Sequence, residues 1–306
     1  MSTEILSIPY GPASDVPMKS LKGILIRGTV PGPKILITAG IHGCEYPGIE
    51  TASRLARTLP AAEVRGEILI LPCVNQSAFL ERLPALVPED GKNLNRQFPG
   101  RVDGTESEQI AAAVTALQDK ADFYIDMHGG DLHEALFPYV YIPGACDAEV
   151  TEKARCAAES LDLPVRVLSN AVTGAYNSAA RRGTPSLLIE RGMLGVWNNE
   201  IVEEYVDDLL RLLSHLGAYC GAVKSKKKHL CQRESVRCSY PTTATGGCWY
   251  PVKAPGDAVK VGECLGEIRT LGGEVIERII APHDGLILYQ TASLYAPAGR
   301  EVLCIG

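Results

Sequence analysis

This 306-residue chain has neither a long apolar run nor a basic field. No segment reaches the roughly 18 uninterrupted apolar residues that a membrane span needs. Acidic residues outnumber basic ones by 36 to 30, whereas a general nucleic-acid binder needs many cationic phosphate contacts. One short basic run, residues 224–229, is interpreted as a solvated linker. We therefore expect no membrane and no nucleic acid among the partners.

Cysteine pairs at metal-binding spacing are also missing. No two of the ten cysteines are separated by only two residues, and Cys231 and Cys238 match no common zinc ribbon. We interpret most of them as reduced, small and buried. Residues 1–20 lack the charged start and the apolar stretch of a signal peptide. These features predict a soluble, cytoplasmic protein.

The part of the chain up to about residue 220 alternates strand-like and helix-like segments. Hydrophobic residues make up 46% of the chain, which is enough for a sizeable core. The pattern predicts an α/β fold with a mixed, largely parallel sheet flanked by helices. The strands are expected at 23–30, 34–39, 65–72, 121–127 and 184–189. The helices are expected at 45–59, 105–118, 148–161 and 199–216, with Thr105 and Glu108 as a capping box.

The amino-acid composition and the hydrophobic pattern change after residue 217. Residues 220–246 are polar, basic and then rich in threonine and glycine, which is typical of a linker. From residue 248 to 305, short β-like runs alternate with Pro-Gly, Gly-Gly and Asp-Gly turns. The chain therefore divides into a predicted catalytic domain, 1–220, and a small all-β domain, 221–306.

Chemically active side chains follow three of the predicted strands. His42 and Glu45 come after the strand 34–39, His128 closes the strand 121–127, and Glu190 closes the strand ending at residue 189. Ligands of open α/β sheets bind beyond the carboxyl ends of the strands. Two histidines and a glutamate are also the protein ligands of many catalytic zinc sites. If the helix starts near His42, its side chain and that of Glu45 share one face of the first turn.

An ordinary structural interpretation stays open for each of these residues. His42 and Glu45 also suit the start of a helix, where a carboxylate is stabilised by the helix dipole. Asp126 either orients an imidazole or sits at the edge of the core. Asp131 and His133 are favoured as loop residues over alternative ligands. In the irregular loop 91–100, Arg96 can fork two hydrogen bonds to a carboxylate.

Four motifs in this order resemble a known family. They are Gly-x-His-Gly-x-Glu at 40–45, Asn-Leu-Asn-Arg-x-Phe-Pro-Gly at 93–100, Asp-x-His-Gly at 126–129 and Ile-Glu-x-Gly at 189–192. The chain resembles the succinylglutamate desuccinylase/aspartoacylase family, a branch of the zinc carboxypeptidase clan, over roughly residues 20–215. The all-β part resembles the appendage of that family, and we interpret it as a wall or lid.

The resemblance implies a role for each matching position. His42, Glu45 and His128 match the ligands of one Zn²⁺ ion, and Glu190 matches the general base and acid. Asn95 and Arg96 match the pair that holds the substrate carboxylate.

Further roles rest on weaker matches. The family also uses an upstream arginine to polarise the scissile carbonyl, for which Arg82 is the candidate although its spacing differs. Many relatives have Asp where Asn93 stands, as the partner of the first ligand histidine. Arg181 is a further candidate for a substrate contact. Tyr295 is interpreted as a packing residue rather than a substrate contact.

The implied activity is zinc-dependent hydrolysis of the amide bond in an N-acyl amino acid or a similar small amide. Two alternatives stay open: a metallocarboxypeptidase that acts on short peptides, and a catalytically silent binding protein on this scaffold. The metal ligands suit zinc without excluding cobalt, manganese or iron. A homo-oligomer stays open as well.

Overall fold

The structure is a computed structural model that describes residues 1–12, 18–226 and 232–306. The last residues of the basic run, 227–229, and Cys231 lie outside the described residues, so the interpretations given for them stay predictions. Among the helices of the described ranges, none combines the length and the apolar character of a membrane span.

The strands up to residue 226 are two to ten residues long, and those at the centre of the sheet are the most buried. In chain order they are β1 (Ser2–Tyr10), β2 (Lys19–Arg27), β3 (Val30–Ala39), β4 (Arg65–Leu71), β5 (Leu86–Val87), β6 (Lys92–Asn93), β7 (Phe123–His128), β8 (Glu134–Leu136), β9 (Tyr139–Pro143), β10 (Val165–Ser169) and β11 (Ser186–Glu190). The helices are α1 (Tyr46–Thr58), α2 (Gln76–Glu81), α3 (Glu106–Gln118), α4 (Ala148–Ala158), α5 (Ala175–Arg181) and α6 (Asn199–His215). Two single 3₁₀ turns cover Ala61–Glu63 and Leu94–Arg96.

From residue 232 onward, the described chain contains strands and no helix. These strands are β12 (Arg233–Ser235), β13 (Gly247–Pro251), β14 (Ala258–Val259), β15 (Cys264–Arg269), β16 (Val275–Ile280), β17 (Gly285–Thr291), β18 (Tyr295–Ala296) and β19 (Leu303–Ile305). The strands β13 to β19 pair antiparallel in two small sheets around their own apolar core.

One nine-stranded mixed sheet dominates the molecule, in the order β1-β2-β4-β3-β7-β11-β9-β10-β12. The central strands β4, β3, β7 and β11 run parallel to one another, and β9 is antiparallel to β11. The predicted fold class is confirmed: the fold is α/β, with a largely parallel sheet and a small all-β part.

Helices cover both faces of this sheet, which explains why its central strands are largely apolar. On one face, α1, α4 and α6 pack against side chains such as Ile35 and Ile37. On the other face, α3 and α5 pack against side chains such as Leu36 and Tyr124. Because both faces are buried, the groups that can meet solvent and ligands lie at the strand ends.

The predicted helices agree with the structure to within a few residues, and Glu108 Oε2 accepts a hydrogen bond from Thr105 N at 2.9 Å, as the capping box requires. The predicted strand 23–30 belongs instead to β2 and the start of β3. The strands β1, β9 and β10 and the helices α2 and α5 were not predicted.

The two parts of the chain share strands. The strand β12 extends the large sheet by pairing parallel with β10, and β8 pairs antiparallel with β17. A small apolar cluster, which includes Leu136, Val167 and Leu288, fills the seam between them. The division at residue 220 stays a prediction about independent folding units.

Candidate metal centre and its cavity

Three strand ends bring the predicted residues to one edge of the sheet. The strand β7 lies between β3 and β11, and all three run parallel. His128 and Glu190 are register partners at the ends of β7 and β11. His42 follows the end of β3 by three residues. The convergence is therefore a consequence of parallel pairing, because the carboxyl ends of adjacent parallel strands meet at one edge.

The turn from β3 into α1 carries the first two candidate ligands. The sequence suggested that His42 and Glu45 share one face of the first helical turn. The helix α1 begins only at Tyr46, so both residues lie before that turn. Glu45 is at the N-cap position, but its side chain caps no backbone N–H of the helix. Gly43 is required because a Cβ there would lie 2.5 Å from Ala78 C, so the glycine admits the backbone of α2.

The Glu45 carboxylate stands between the two imidazoles. Its Oε1 lies 2.6 Å from His42 Nδ1, and its Oε2 lies 2.9 Å from His128 Nδ1. One ligand atom from each of the three residues lies within 4.8 Å of the other two. Two imidazole nitrogens and one carboxylate oxygen are a donor set of catalytic zinc sites. Glu45 Oε2 is buried without a hydrogen bond of acceptable geometry, as expected of an atom that binds an ion.

A second polar group lies behind each histidine ring. His42 Nε2 lies 3.3 Å from Asn93 Oδ1, and His128 Nε2 lies 3.3 Å from Asp126 Oδ2. The fully buried Asp126 is fixed in turn by a 2.9 Å hydrogen bond from Thr38 Oγ1. Both rings therefore present Nδ1 to the centre. Such partners fix ring orientation and raise the basicity of ligand histidines.

Burial and neighbouring charges shift the acidity of these groups in opposite directions. Burial by itself raises the pKa of Glu45, but the adjacent His128 and His42 rings outweigh it and lower that pKa to about 2. For Glu190, burial raises the pKa to about 8, with His128 opposing the shift and Glu45 adding to it. The pKa values of two carboxyl groups at one strand edge are thus driven apart, which is typical of sites with distinct acid–base roles.

These residues line a cavity of about 450 Å³ between the sheet edge and the all-β part. Asn95 and Arg96 also line it, on the loop before α3. Asn95 is buried, and its Oδ1 accepts a 2.9 Å hydrogen bond from Ala175 N at the start of α5. Arg96 is exposed at the rim, where its guanidinium is accessible to a ligand.

Two predicted residues lie elsewhere. Arg82 is exposed at the C-cap of α2, and Arg181 is exposed at the end of α5, where its Nη1 donates to Val172 O at 3.3 Å. Neither lines the cavity, and within the described ranges Arg96 is the only arginine that does. Tyr295 is 62% exposed and lies outside the lining as well. Asp131 does line the cavity, whereas His133 is exposed and does not.

Sequence reasoning missed the far side of the cavity. That side carries several acidic, amide and phenolic side chains: Glu134, Asn177, Tyr139, Tyr141, Tyr176, Tyr240, Tyr289 and Glu301. They come from segments that are widely spaced in the chain and form no local motif. Polar residues in short strands and loops are also typical of a solvated surface, so the sequence carried no usable signal for this side.

Comparison with known proteins identifies the family. A sequence profile of the succinylglutamate desuccinylase/aspartoacylase catalytic domain matches residues 31–216. The chain belongs to the succinylglutamate desuccinylase/aspartoacylase family. The family prediction made from the four motifs is confirmed.

Individual members of the family resemble the chain to different extents. An N-alpha-acetyl-L-2,4-diaminobutyric acid deacetylase from Halomonas elongata is 35% identical over 138 residues, which is 45% of this chain and 40% of that protein's length. A crystal structure of succinylglutamate desuccinylase/aspartoacylase from Rhodobacter sphaeroides is 25% identical, with a TM-score of 0.86 over 99% of this chain and 94% of that one.

A further similarity extends over nearly the whole fold. The product-bound ectoine utilization protein EutE (DoeB) from Ruegeria pomeroyi has a TM-score of 0.87 over 99% of this chain and 95% of its own, at 23% identity. Because the structural matches include the small β sheets, the all-β part belongs to the shared architecture.

Proposed function

We propose that the protein is a zinc-dependent deacylase that hydrolyses the amide bond of an N-acyl amino acid. The observation that carries the proposal is the placement of Glu190 beside the His42–Glu45–His128 centre, in one cavity with Arg96. The 35% identical relative supports the chemistry, since its name describes removal of an acetyl group from an amino acid. We take acetylated 2,4-diaminobutyric acid as the first substrate to assay.

The residues of the centre fit the ion. His42 and His128 would ligate through Nδ1 and Glu45 through its carboxylate, because these are the atoms that face one another. When bound, zinc supplies a Lewis acid and lowers the pKa of water to about 7. Asn93 and Asp126 keep both imidazoles in the orientation that ligation needs.

Glu190 is the proposed general base and acid. Its Oε2 is buried and has no hydrogen-bond partner among the described residues, so it can accept a proton from water. As the water oxygen bonds to the acyl carbon and the C–N bond breaks, Glu190 passes that proton to the leaving amine. General acid–base catalysis of this kind contributes about 10²- to 10⁴-fold.

Asn95 and Arg96 are the proposed binding pair for the α-carboxylate. The guanidinium forks two hydrogen bonds to a carboxylate. The oxygen of Asn95 already accepts from Ala175 N, so its NH₂ group is the end left to bind a substrate. Fixing the carboxylate orients the amide, and orientation is a major part of catalysis. The role of Arg82 as a carbonyl-polarising residue stays a prediction, with its side chain outside the cavity lining.

A substrate screen combined with one variant tests the proposal. Zinc-loaded protein is assayed with N-acetyl and N-succinyl amino acids beside short peptides, with metal quantified in each sample. We expect hydrolysis of at least one N-acyl amino acid, and a loss of about 10²- to 10⁴-fold in kcat for Glu190→Gln at unchanged metal content. The exposed Glu203→Gln on α6 is the control. Cleavage of peptides alone, or full activity of Glu190→Gln, would contradict the proposal.

A further inference from the structure

Carboxyl groups outnumber cationic side chains in the lining of the cavity. Its lining carries five carboxyl groups, which belong to Glu45, Asp131, Glu134, Glu190 and Glu301. Apart from the two imidazoles, Arg96 is the one cationic side chain among the described lining residues. Even with a divalent ion at the metal centre, the five carboxyl groups outnumber that ion and Arg96. The α-carboxylate of a substrate would add one more negative charge.

Glu134 is the central carboxyl group of this excess. It opens β8 and is the register partner of Thr291 on β17, so it stands where the two parts of the chain meet. No hydrogen bond or ion pair joins its carboxylate to another described residue. Burial raises its pKa well above the usual range, and the charges of Glu190 and Asp131 add to the shift. A cation beside Glu134 would relieve both effects.

Two further residues, Tyr289 and Glu301, lie on the same side of the cavity as Glu134. We call these three residues the C-terminal wall. Tyr289 donates a 3.1 Å hydrogen bond from its hydroxyl to Glu301 Oε1 and so fixes that carboxylate. Tyr139 and Tyr141 meet edge to face at 5.0 Å nearby. Tyrosine faces attract ammonium and guanidinium groups through the ring quadrupole.

Asn177 gives independent evidence that a donor-bearing ligand enters the cavity. Its side chain is only 2% exposed, and its Nδ2 donates to Thr173 O at 2.9 Å. Its Oδ1 is buried and has no hydrogen-bond partner among the described residues. A buried acceptor without a donor is costly, and such groups are normally satisfied. The lining position of Asn177 means that a bound molecule can supply the N–H.

We propose that the cavity selects N-acyl amino acids whose side chain ends in a cation, such as a primary ammonium group, and that Glu134 and Glu301 recognise that cation. This inference rests on the proposed deacylase function and specifies its substrate class. A dicarboxylate substrate needs a second cationic side chain beyond Arg96, and the described lining has none.

Matched substrates test the charge preference. The Nα-acetyl derivatives of 2,4-diaminobutyric acid and ornithine are compared with their neutral counterparts, norvaline and norleucine, and with aspartate and glutamate. We expect kcat/KM for a cationic substrate to exceed that of its neutral counterpart about 10- to 100-fold, the range of a hydrogen bond to a charged group. Equal or higher values for neutral or acidic substrates would overturn the inference while leaving the deacylase function intact.

Two variants assign the preference to residues. Glu134→Gln is expected to lower the cationic-to-neutral ratio about tenfold or more, and the exposed Glu301→Gln about two- to threefold. The control is Glu274→Gln, an exposed acidic residue before β16, whose ratio should equal that of the original protein. An unchanged ratio in both Glu134→Gln and Glu301→Gln would overturn the assignment.

Calorimetric titration with the free amino acids separates this inference from the function. If no N-acyl amino acid is hydrolysed, the proposed function fails. Tighter binding of 2,4-diaminobutyrate or ornithine than of norvaline or norleucine, weakened in Glu134→Gln, would still support the cation site. Equal binding of cationic and neutral amino acids would reject it.

Discussion

The two walls of the cavity differ in whether their ionisable groups have polar partners. We call the first the metal-side wall, which is formed by His42, Glu45 and His128, and compare it with the C-terminal wall. On the metal-side wall, each imidazole lies within 3.3 Å of carboxylate or amide oxygens. On the C-terminal wall, Glu134 has no hydrogen-bond or ion-pair partner among the described residues, and Glu301 is held only by a tyrosine hydroxyl. The first wall offers a donor set that suits a metal ion, and the second offers carboxyl groups that suit the proposed cationic ligand.

This difference suggests that the proposed catalytic centre and the residues that select the substrate lie on separate walls. The metal-side wall lies at the ends of parallel strands that pack in the core, so the contacts that stabilise the fold also fix its geometry. The C-terminal wall arises where β8 meets β17, at the seam between the two parts of the chain. A substitution on the metal-side wall should therefore affect metal binding and the free energy of unfolding. A substitution on the C-terminal wall should affect ligand preference.

The largest effect is expected for His128→Ala. The substitution removes one proposed ligand and leaves Glu45 and Asp126 buried without the imidazole that lies between them, which costs about 3–5 kcal/mol of unfolding free energy. Metal stoichiometry by mass spectrometry and denaturant unfolding measure both losses. The exposed His133→Ala is the matched control and should retain metal and stability. Normal metal content in His128→Ala would remove His128 from the ligand set.

The next effect concerns the support behind the metal-side wall. Arg191 follows Glu190, is 6% exposed and pairs with the fully buried Asp208 and with Glu204 at 2.7 Å. Removing one partner of a buried pair costs about 3–5 kcal/mol, so Asp208→Ala should lower the unfolding free energy by that amount. Asp207→Ala, which breaks a more exposed pair with Lys224, should cost less than about 1 kcal/mol. Similar losses for both would show that burial of the pair is irrelevant here.

Much of the metal-side wall is predictable from sequence because its signals are local. Apolar runs such as 34–39 mark buried parallel strands, and polar residues at their ends must then share one edge. Four short motifs placed His42, Glu45, His128 and Glu190 in one constellation, and the structure brings them together. The partner of His42, Asn93, lies 51 residues away in the chain, so only the family resemblance pointed to it.

The C-terminal wall was not predictable for a physical reason. Glu134 and Tyr289 are polar residues of strands that the β8–β17 pairing brings together, and Glu301 lies just before β19, so no local pattern joins the three. Arginine proved the hardest residue type to assign. Its long side chain suits many sites, and Arg82 and Arg181, chosen by motif proximity, lie outside the lining.

A moderate effect is expected for the residue behind His42. Removing the partner of a ligand histidine typically weakens metal binding about 10- to 100-fold, so Asn93→Ala should weaken it in that range. Asn93→Asp should tighten metal binding, because a carboxylate makes His42 the more basic ligand. Metal affinity is measured by competition with a chelator. Equal affinity in all three proteins would mean that Asn93 supports only the loop, where its Oδ1 also accepts from Asn95 N at 2.9 Å.

The smallest effect is expected on the C-terminal wall itself. Tyr289→Phe removes the hydroxyl that holds Glu301 and keeps the ring that packs in the seam. The lost hydrogen bond should lower the unfolding free energy by about 0.5–1.5 kcal/mol, measured by denaturant unfolding. Metal affinity should equal that of the original protein, because no ligand or ligand partner is touched. A loss of metal affinity as large as that of Asn93→Ala would show that the two walls are coupled, and that substrate choice and metal binding cannot be varied separately in this fold.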